Sequence, residues 1–267
     1  MKSVKELMNL EGKVSVITGG AGHIGRAAAN ALAELGASIV LLDIDCIGLE
    51  SVSEQISKTH SVPVLSIVVD MEDTNQLNCI PSKIENHFNQ IDVLVNNAAF
   101  VGTSGLEGWV TDFEKQTVST WRRAIEVNLT APFVLVQSCL SMMSRSTQAS
   151  IINIGSIYGI LGPDMSLYEG TKMGNPAAYA ASKGGLIQFT KWASTVLSPN
   201  IRVNTITPGG VARNQNLEFM ARYIARTPMQ RMATEEDFKG AVVYLATNLS
   251  AYVTGQNIIV DGGWSVW

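Results

Sequence analysis

Short apolar runs alternate with helical patterns along most of the chain, and this alternation restricts the fold more than any other feature. The predicted strands span residues 14–18, 38–43, 64–69, 91–95, 150–154, 202–206 and 257–260. The predicted helices include residues 23–35, 46–59, 74–89 and 113–140 and a helix that begins near Pro176. Strands joined by crossover helices form a parallel sheet. We therefore predict an α/β fold: one domain over residues 1–267, with a doubly wound seven-stranded parallel sheet and helices on both faces.

The composition argues against several classes of function. With 267 residues, of which 46% are apolar and 16% charged, the chain can bury a full hydrophobic core. A net charge of -4 without a basic block argues against nucleic acid or an anionic membrane as the partner. The N-terminus lacks a signal-peptide core, and no run of about 18 uncharged apolar residues occurs, so we expect a cytoplasmic protein. The cysteines and histidines are scattered without ligand spacing, and we predict no metal site.

The first predicted strand ends in a glycine-rich turn, Thr18-Gly19-Gly20-Ala21-Gly22-His23-Ile24-Gly25, directly before an alanine-rich helix. Glycines let the backbone approach a pyrophosphate, which the positive end of the helix then stabilises. Asp43 ends the second strand, 18 residues after Gly25. A carboxylate there can accept hydrogen bonds from an adenosine ribose and repel a 2′-phosphate, so the pattern favours NAD over NADP. The alternatives are an ordinary tight turn and a strand-end cap.

Asp70 and Met71 follow the third predicted strand. Asp70 is a further candidate for the cofactor site, where it would meet the adenine amine. The alternative is that it caps the helix that begins near Thr74.

Two tyrosine–lysine pairs share a spacing of four residues, Tyr168/Lys172 and Tyr179/Lys183, and both lie downstream of Ser156 at the end of the fifth strand. A lysine one helical turn after a tyrosine can lower the pKa of the phenol, which suits proton exchange with an alcohol or ketone. Two glycines and Pro176 interrupt the first pair, so residues 159–175 are predicted to form a loop. The second pair lies on an alanine-rich helix that begins with proline, and we predict that it is the working pair.

These motifs together resemble the short-chain dehydrogenase/reductase family, whose fold is the Rossmann type of doubly wound sheet. The likeness rests on the glycine-rich turn, Asn96-Asn97-Ala98-Ala99, Val127-Asn128-Leu129, Ser156, Tyr179-Ala180-Ala181-Ser182-Lys183, Pro208-Gly209 and the stretch from Tyr252 to Gly263. It spans nearly the whole chain. The resemblance implies a nicotinamide-dependent oxidoreductase that acts on a CH–OH group and assembles as a homotetramer or homodimer.

The resemblance also implies roles for individual residues. Tyr179 would be the general acid/base, Ser156 would steady the oxyanion, and Lys183 would lower the pKa of Tyr179 and hold the nicotinamide ribose. Asn128 would support a water chain from Lys183, or else be a helix-bending residue satisfied by backbone. The implied cofactor contacts are Gly19, Gly22, His23, Ile24, Gly25, Asp43, Asp70, Met71, Asn97, Ala98, Tyr179, Lys183, Pro208, Gly209 and Val211.

Three features depart from the family pattern. The turn has histidine at position 23, where glycine is usual, the separation of Ser156 from Tyr179 is 23 residues instead of about a dozen, and Arg213 replaces a threonine that contacts nicotinamide. By spacing alone Tyr168 would be chosen, so the helix argument carries the assignment to Tyr179.

Within the family, the 159–175 insertion and the C-terminal ending resemble proteins of flagellin modification and surface-sugar biosynthesis. This likeness implies a sugar, sugar phosphate or nucleotide sugar as substrate. Arg213 and Lys172 would then be candidates to bind an anionic group, with solvated surface charge as the alternative. Two other functions stay open: a 3-ketoacyl-thioester reductase and a non-catalytic NAD-binding sensor or scaffold. Asp43 counts against the first, and the intact catalytic set against the second.

Overall fold

The protein, described by a computed structural model over residues 1–101 and 106–267, is built around one parallel seven-stranded sheet. The strand order is β3-β2-β1-β4-β5-β6-β7, and every neighbouring pair is parallel. This confirms the predicted fold class. The strands are β1 Val14–Thr18, β2 Ser38–Asp43, β3 Val64–Val68, β4 Val93–Asn96, β5 Ala149–Ile154, β6 Ile201–Pro208 and β7 Asn257–Val260.

Ten α-helices occur in the described part of the chain. They are α1 Val4–Met8, α2 His23–Glu34, α3 Cys46–His60, α4 Thr74–Asn78, α5 Ile80–Glu85, α6 Val118–Ile125, α7 Ala131–Met143, α8 Ala177–Leu197, α9 Leu217–Arg226 and α10 Glu236–Ala246. The helix predicted over 74–89 is divided at Cys79, because Pro81 lies in the first turn of α5 and starts a new helix. The helix predicted over 113–140 begins later and contains a π-helical segment, Glu126–Thr130, between α6 and α7. Helices α1, α9 and α10 were not predicted.

The two faces of the sheet bury separate apolar layers, because successive side chains of a strand point to opposite faces. On one face Val16 and Leu94 pack with α4, α5 and α7. On the other, Ile17 and Val95 pack with α2, α3 and α10. These four strand residues are fully buried. The burial of each side chain therefore stabilises the folded protein by roughly 1.5–3 kcal/mol. The strand ends are thereby fixed, and with them the residues that follow.

The helical run Val118–Met143 is long and apolar enough to cross a membrane by length and composition, and half of its most apolar window is buried in the protein. A core helix passes the same test, and here α7 contributes Leu135 and Cys139 to the layer under the sheet.

Two polar loops follow β4 and β5 at the carboxyl edge of the sheet. Residues 102–105 of the first, predicted over 102–108, lie outside the described residues. The second, 159–175, contains a 3-10 turn at Met165–Tyr168 and leads directly into α8.

Candidate active site

A cavity of about 230 Å³ opens at the carboxyl edge of the sheet, beside the ends of β5 and β6. Its lining includes Ser156, Tyr158, Tyr168, Asn175 and Tyr179. Ligands of doubly wound sheets bind at this edge. The cavity therefore joins the residues predicted for catalysis with residues of the 159–175 loop.

Ser156 and Tyr179 come together in this cavity from different elements. Ser156 follows β5 and is 7% exposed, while Tyr179 lies in the first turn of α8 and is partly exposed. Burial raises the pKa of the Tyr179 phenol, and the nearby Ser156 side chain opposes the rise. The phenol is therefore protonated near neutral pH and suited to donate a proton.

Lys183 lies one turn after Tyr179 on α8 and is only 2% exposed. Its Nζ donates a hydrogen bond to the Ile154 carbonyl oxygen at 2.7 Å, and it lies 5.9 Å from the centre of the Tyr179 ring. Burial lowers the pKa of Lys183 to about 8. The predicted lowering of the Tyr179 pKa by this ammonium is not what the structure shows. Loss of hydration is the largest cause of the raised pKa of the phenol, and the Lys183 ammonium donates its hydrogen bond to the β5 backbone.

Asn128 lies at the centre of the π-helical segment and is completely buried. Its Oδ1 accepts a hydrogen bond from the Phe100 N–H at 2.6 Å, and its Nδ2 donates to the Ser182 hydroxyl at 3.0 Å. The amide thus ties the segment after β4 to α8, one residue before Lys183. Asn128 thus bonds both to backbone and to the helix that carries the predicted catalytic pair, and its support of a water chain from Lys183 stays a prediction.

The competing pair behaves differently from Tyr179 and Lys183. Tyr168 also lines the cavity, but its hydroxyl forms a hydrogen bond with that of Tyr158 at 2.7 Å. Lys172 is exposed and lies in a loop, so it does not stand one helical turn above Tyr168. As predicted, Lys183 lies on a helix with its tyrosine and Lys172 does not. Both tyrosines, however, line the same cavity.

The glycine-rich turn is shaped by two close approaches. Gly19 has a φ of +64°, a left-handed conformation that favours glycine. A Cβ on Gly25 would overlap the Gly19 carbonyl group, so α2 can pass the turn only with glycine at that position. Helix α2 begins at His23 after Gly22, which makes no side-chain cap. The first N–H groups of a helix have no partner within the helix, so the start of α2 can accommodate a pyrophosphate.

The turn is also fixed from β4. The backbone N–H groups of Asn97 and Ala98 both donate to the Thr18 hydroxyl at 2.9 Å, and the Asn97 amide donates to the Thr18 and Gly19 carbonyl oxygens. The role of Asn97 and Ala98 is thus to hold the turn in place. Ile24, in the first turn of α2, packs against the apolar layer shared with α3 and α10.

Asp43 contacts the same turn from β2. One carboxylate oxygen accepts from the Ala21 N–H at 2.9 Å, and the other accepts from Ile44 and Asp45. A carboxylate has about four acceptor sites, so it can still bind a ribose hydroxyl. Strand-end capping and cofactor recognition are therefore compatible for Asp43.

Asp70 does not cap the helix after β3. The Asp73 side chain occupies that position and accepts from the Asn75 and Gln76 N–H groups, whereas the Asp70 side chain accepts from the Glu72 N–H at 2.9 Å. The capping alternative for Asp70 is therefore wrong. Met71 beside it is buried.

The loop after β6 carries Gly209 and Val211. A Cβ on Gly209 would lie 2.8 Å from Asp261 Cα, and Val211 pairs with Ala233 in a short parallel bridge. Pro208 ends β6. This packing places the loop beside the cavity, which Gly209 and Gly210 help to line.

Arg213 and Lys172 do not enter the cavity. The Arg213 guanidinium lies 2.6 Å from a Glu235 carboxylate oxygen, and His23 Nδ1 lies 3.2 Å from the same oxygen. Two of the departures from the family pattern, His23 and Arg213, thus meet at Glu235. Neither Arg213 nor Lys172 is among the residues that line the cavity.

Helix α9 supplies an aromatic wall of the cavity through Phe219 and Tyr223, which were not predicted as site residues. Phe219 and Tyr223 occupy i and i+4 positions on one face of α9, a spacing that could have revealed the helix. Trp264 stacks on Tyr223 with 5.5 Å between ring centres, and it is buried, so it supports this wall. Trp109 lines the cavity, and Trp267 is exposed.

Comparison with known proteins gives consistent matches over the whole chain. The family model described as enoyl-(acyl carrier protein) reductase matches residues 19–265. The chain is 34% identical over 265 residues to the 3-oxoacyl-(acyl-carrier-protein) reductase FabG of Thermotoga maritima, covering 96% of this chain and 99% of the relative. It is 28% identical over 258 residues to the post-translational flagellin modification protein A of Campylobacter coli, covering 96% and 100%.

A solved structure has the same architecture. It is a putative NAD(P)-dependent gluconate 5-dehydrogenase from Beutenbergia cavernae with bound NADP, with a TM-score of 0.85 and 29% identity, covering 98% of this chain and 100% of the other.

Proposed function

Since the chain belongs to the short-chain dehydrogenase/reductase family, we propose that it is an NAD-dependent oxidoreductase. Its proposed reaction interconverts a secondary alcohol and a ketone on a sugar or sugar derivative of surface-glycan biosynthesis. The observation that carries this chemistry is that the Tyr179 phenol and the Ser156 hydroxyl line the same cavity. Helix α8, which carries Tyr179, also carries the buried Lys183. Reduction of a carbonyl requires a proton donor and a hydrogen-bond donor that stabilises the developing oxyanion at the same oxygen.

In the proposed reduction, Tyr179 gives its proton to the carbonyl oxygen while Ser156 donates a hydrogen bond to the same oxygen. The nicotinamide, when bound, supplies the hydride. Lys183 stabilises the phenolate that is left after proton transfer, because its buried ammonium is the nearest positive charge on α8. Oxidation of the alcohol reverses these roles.

The family binds nicotinamide cofactors, and the turn fits one. Gly25 lets α2 start close to the turn, because a side chain there would collide with Gly19. The start of α2 has no side-chain cap, so its N–H groups are available to a pyrophosphate. Asp43 and Ala98 would lie along the adenosine half, and Lys183 would meet the nicotinamide ribose.

The choice of NAD over NADP is tested by Asp43→Ala. We expect the NADP/NAD ratio of kcat/KM to rise about tenfold or more, because the variant loses a ribose hydrogen bond and the repulsion of a 2′-phosphate. Steady-state kinetics with both cofactors measure it. Asp45→Ala, which removes only the α3 cap at Gly48, is the control and should leave the ratio unchanged. An unchanged ratio in Asp43→Ala would assign the discrimination to another group.

The substrate part that enters the cavity is proposed to be uncharged. Within the described chain the cavity lining contains no charged side chain. Arg213 is paired with Glu235, and Lys172 is exposed. A phosphate or nucleotide of the substrate would therefore lie outside the cavity.

A 3-oxoacyl-thioester reductase is the second candidate, because relatives that carry that name match almost the full chain. A panel of hydroxylated ketones and 3-oxoacyl thioesters, each with NADH and NADPH, distinguishes the candidates. We expect NADH-dependent reduction of hydroxylated ketones to have the larger kcat/KM. A preference for thioesters with NADPH would favour the second candidate. Cofactor binding without any turnover would favour the non-catalytic sensor.

We also propose a cytoplasmic homo-oligomer, a tetramer or a dimer. Exposed apolar side chains on adjoining helices support association, namely Trp121, Phe133, Trp192 and Val196.

A further inference from the structure

The 159–175 loop forms a fixed wall of the cavity because α9 holds it at several points. Arg226 forms an ion pair with Asp164, and Arg222 donates to the Glu169 carbonyl oxygen at 2.5 Å. The rings of Tyr168 and Phe219 pack with 5.3 Å between their centres. Tyr168 is only 9% exposed. Its hydroxyl therefore has a defined position beside the reacting centre.

The polar groups of this wall are incompletely satisfied. Tyr158 and Tyr168 share one hydrogen bond between their hydroxyls. Each hydroxyl carries one hydrogen, so the pair retains one O–H that is not used between them. The Asn175 side chain lies near the Tyr168 hydroxyl and lowers its pKa, and the Asn175 Oδ1 is buried and lacks a hydrogen-bond partner among the residues that the structure describes. Burial raises the pKa of both phenols, which keeps them protonated.

The rest of the lining is aromatic or apolar. Trp109, Phe219 and Tyr223 cover the cavity, and the Tyr223 hydroxyl accepts a hydrogen bond from the Gly210 N–H at 2.6 Å. Aromatic faces pack well against the C–H faces of a saturated ring. The volume of about 230 Å³ lies below the roughly 300–1,000 Å³ of sites for larger ligands.

From this arrangement we infer that Tyr158, Tyr168 and Asn175 form a second polar subsite, which binds a hydroxyl group of an uncharged, single-ring substrate while Tyr179 and Ser156 hold its carbonyl. Tyr168 is the specificity-determining residue of this subsite. The inference rests on the proposed oxidoreductase function and narrows its substrate class. It also assigns a role to the insertion that separates Ser156 from Tyr179.

The test compares two ketones that differ only in hydroxyl groups, cyclohexanone and its pentahydroxy counterpart, with NADH. The wild type is expected to prefer the hydroxylated ketone in kcat/KM. Tyr168→Phe should reduce that preference about three- to tenfold by removing one hydrogen bond. Tyr158→Phe should act in the same direction. Tyr252→Phe is the control, because Tyr252 is exposed and does not line the cavity, and it should leave the preference unchanged.

Two results would overturn the inference while leaving the oxidoreductase intact: no preference in the wild type, or equal losses for both ketones in Tyr168→Phe. If the wild type reduces neither ketone, the proposed sugar chemistry fails separately. Calorimetric titration with inositol then decides the subsite, since binding must be detectable and weaker in Tyr168→Phe. Absent or equal binding contradicts it. Thermal unfolding of each variant verifies that it is folded.

Discussion

Replacing Tyr179 by phenylalanine is expected to reduce turnover about a hundredfold to ten-thousandfold, the usual contribution of a positioned general acid. The ring remains and α8 keeps its packing, so only the proton donor is lost. Cofactor binding should be almost unchanged, because the turn at Gly19 to Gly25 and Asp43 lie on other elements. Single-turnover kinetics, together with a fluorescence titration of NADH, measure the two effects separately.

Tyr168→Phe is the control for this prediction, since Tyr168 lines the same cavity and has the same four-residue spacing to a lysine. Its hydroxyl is bonded to Tyr158, and no ammonium stands beside it on a helix. We expect a loss of less than about tenfold, the effect of one hydrogen bond. A larger loss in Tyr168→Phe than in Tyr179→Phe would transfer the acid/base role to Tyr168.

The sheet could be predicted well because a buried strand must be continuously apolar, and both ends of β1, β2 and β7 were placed correctly. Local signals also identified the helix of Tyr179 and Lys183, since alanine and an N-terminal proline favour helix and the glycines before them do not. The three missed helices have weaker signals. Helix α9, for example, mixes Arg222 and Arg226 with its apolar face, and its burial depends on the loop that it packs against.

Long-range contacts explain why the rest of the site could not be predicted. The glycines and Pro176 correctly predict that Tyr168 lies in a loop. They do not indicate that the loop packs against the cavity. The loop returns to the cavity because α9 holds Asp164 and Glu169. Likewise, no local rule indicates that burial raises the pKa of Tyr179, since its burial depends on the packing of β5 and α8.

Replacing Lys183 by methionine is expected to lower kcat about a hundredfold, comparable to the loss of one preorganised electrostatic contact, and to make the folded protein more stable near neutral pH. In the wild type the buried ammonium has its pKa lowered to about 8 from the ordinary 10.5. That difference corresponds to about 3 kcal/mol of destabilisation while the group is charged. Methionine removes this cost and loses the hydrogen bond to Ile154, about 1 kcal/mol. The variant should therefore gain about 2 kcal/mol.

The sign of the pH dependence identifies the cause. As the pH rises from about 8 to 10.5, folded Lys183 releases its proton before the unfolded chain does, so the wild type gains stability in this window and the advantage of the variant disappears. Urea unfolding of both proteins across that range measures the difference, in which other titrating groups cancel. Lys172→Met, which replaces an exposed lysine, should show neither effect. A variant that loses both activity and stability at neutral pH would instead show that the hydrogen bond to Ile154 is the main contribution of Lys183.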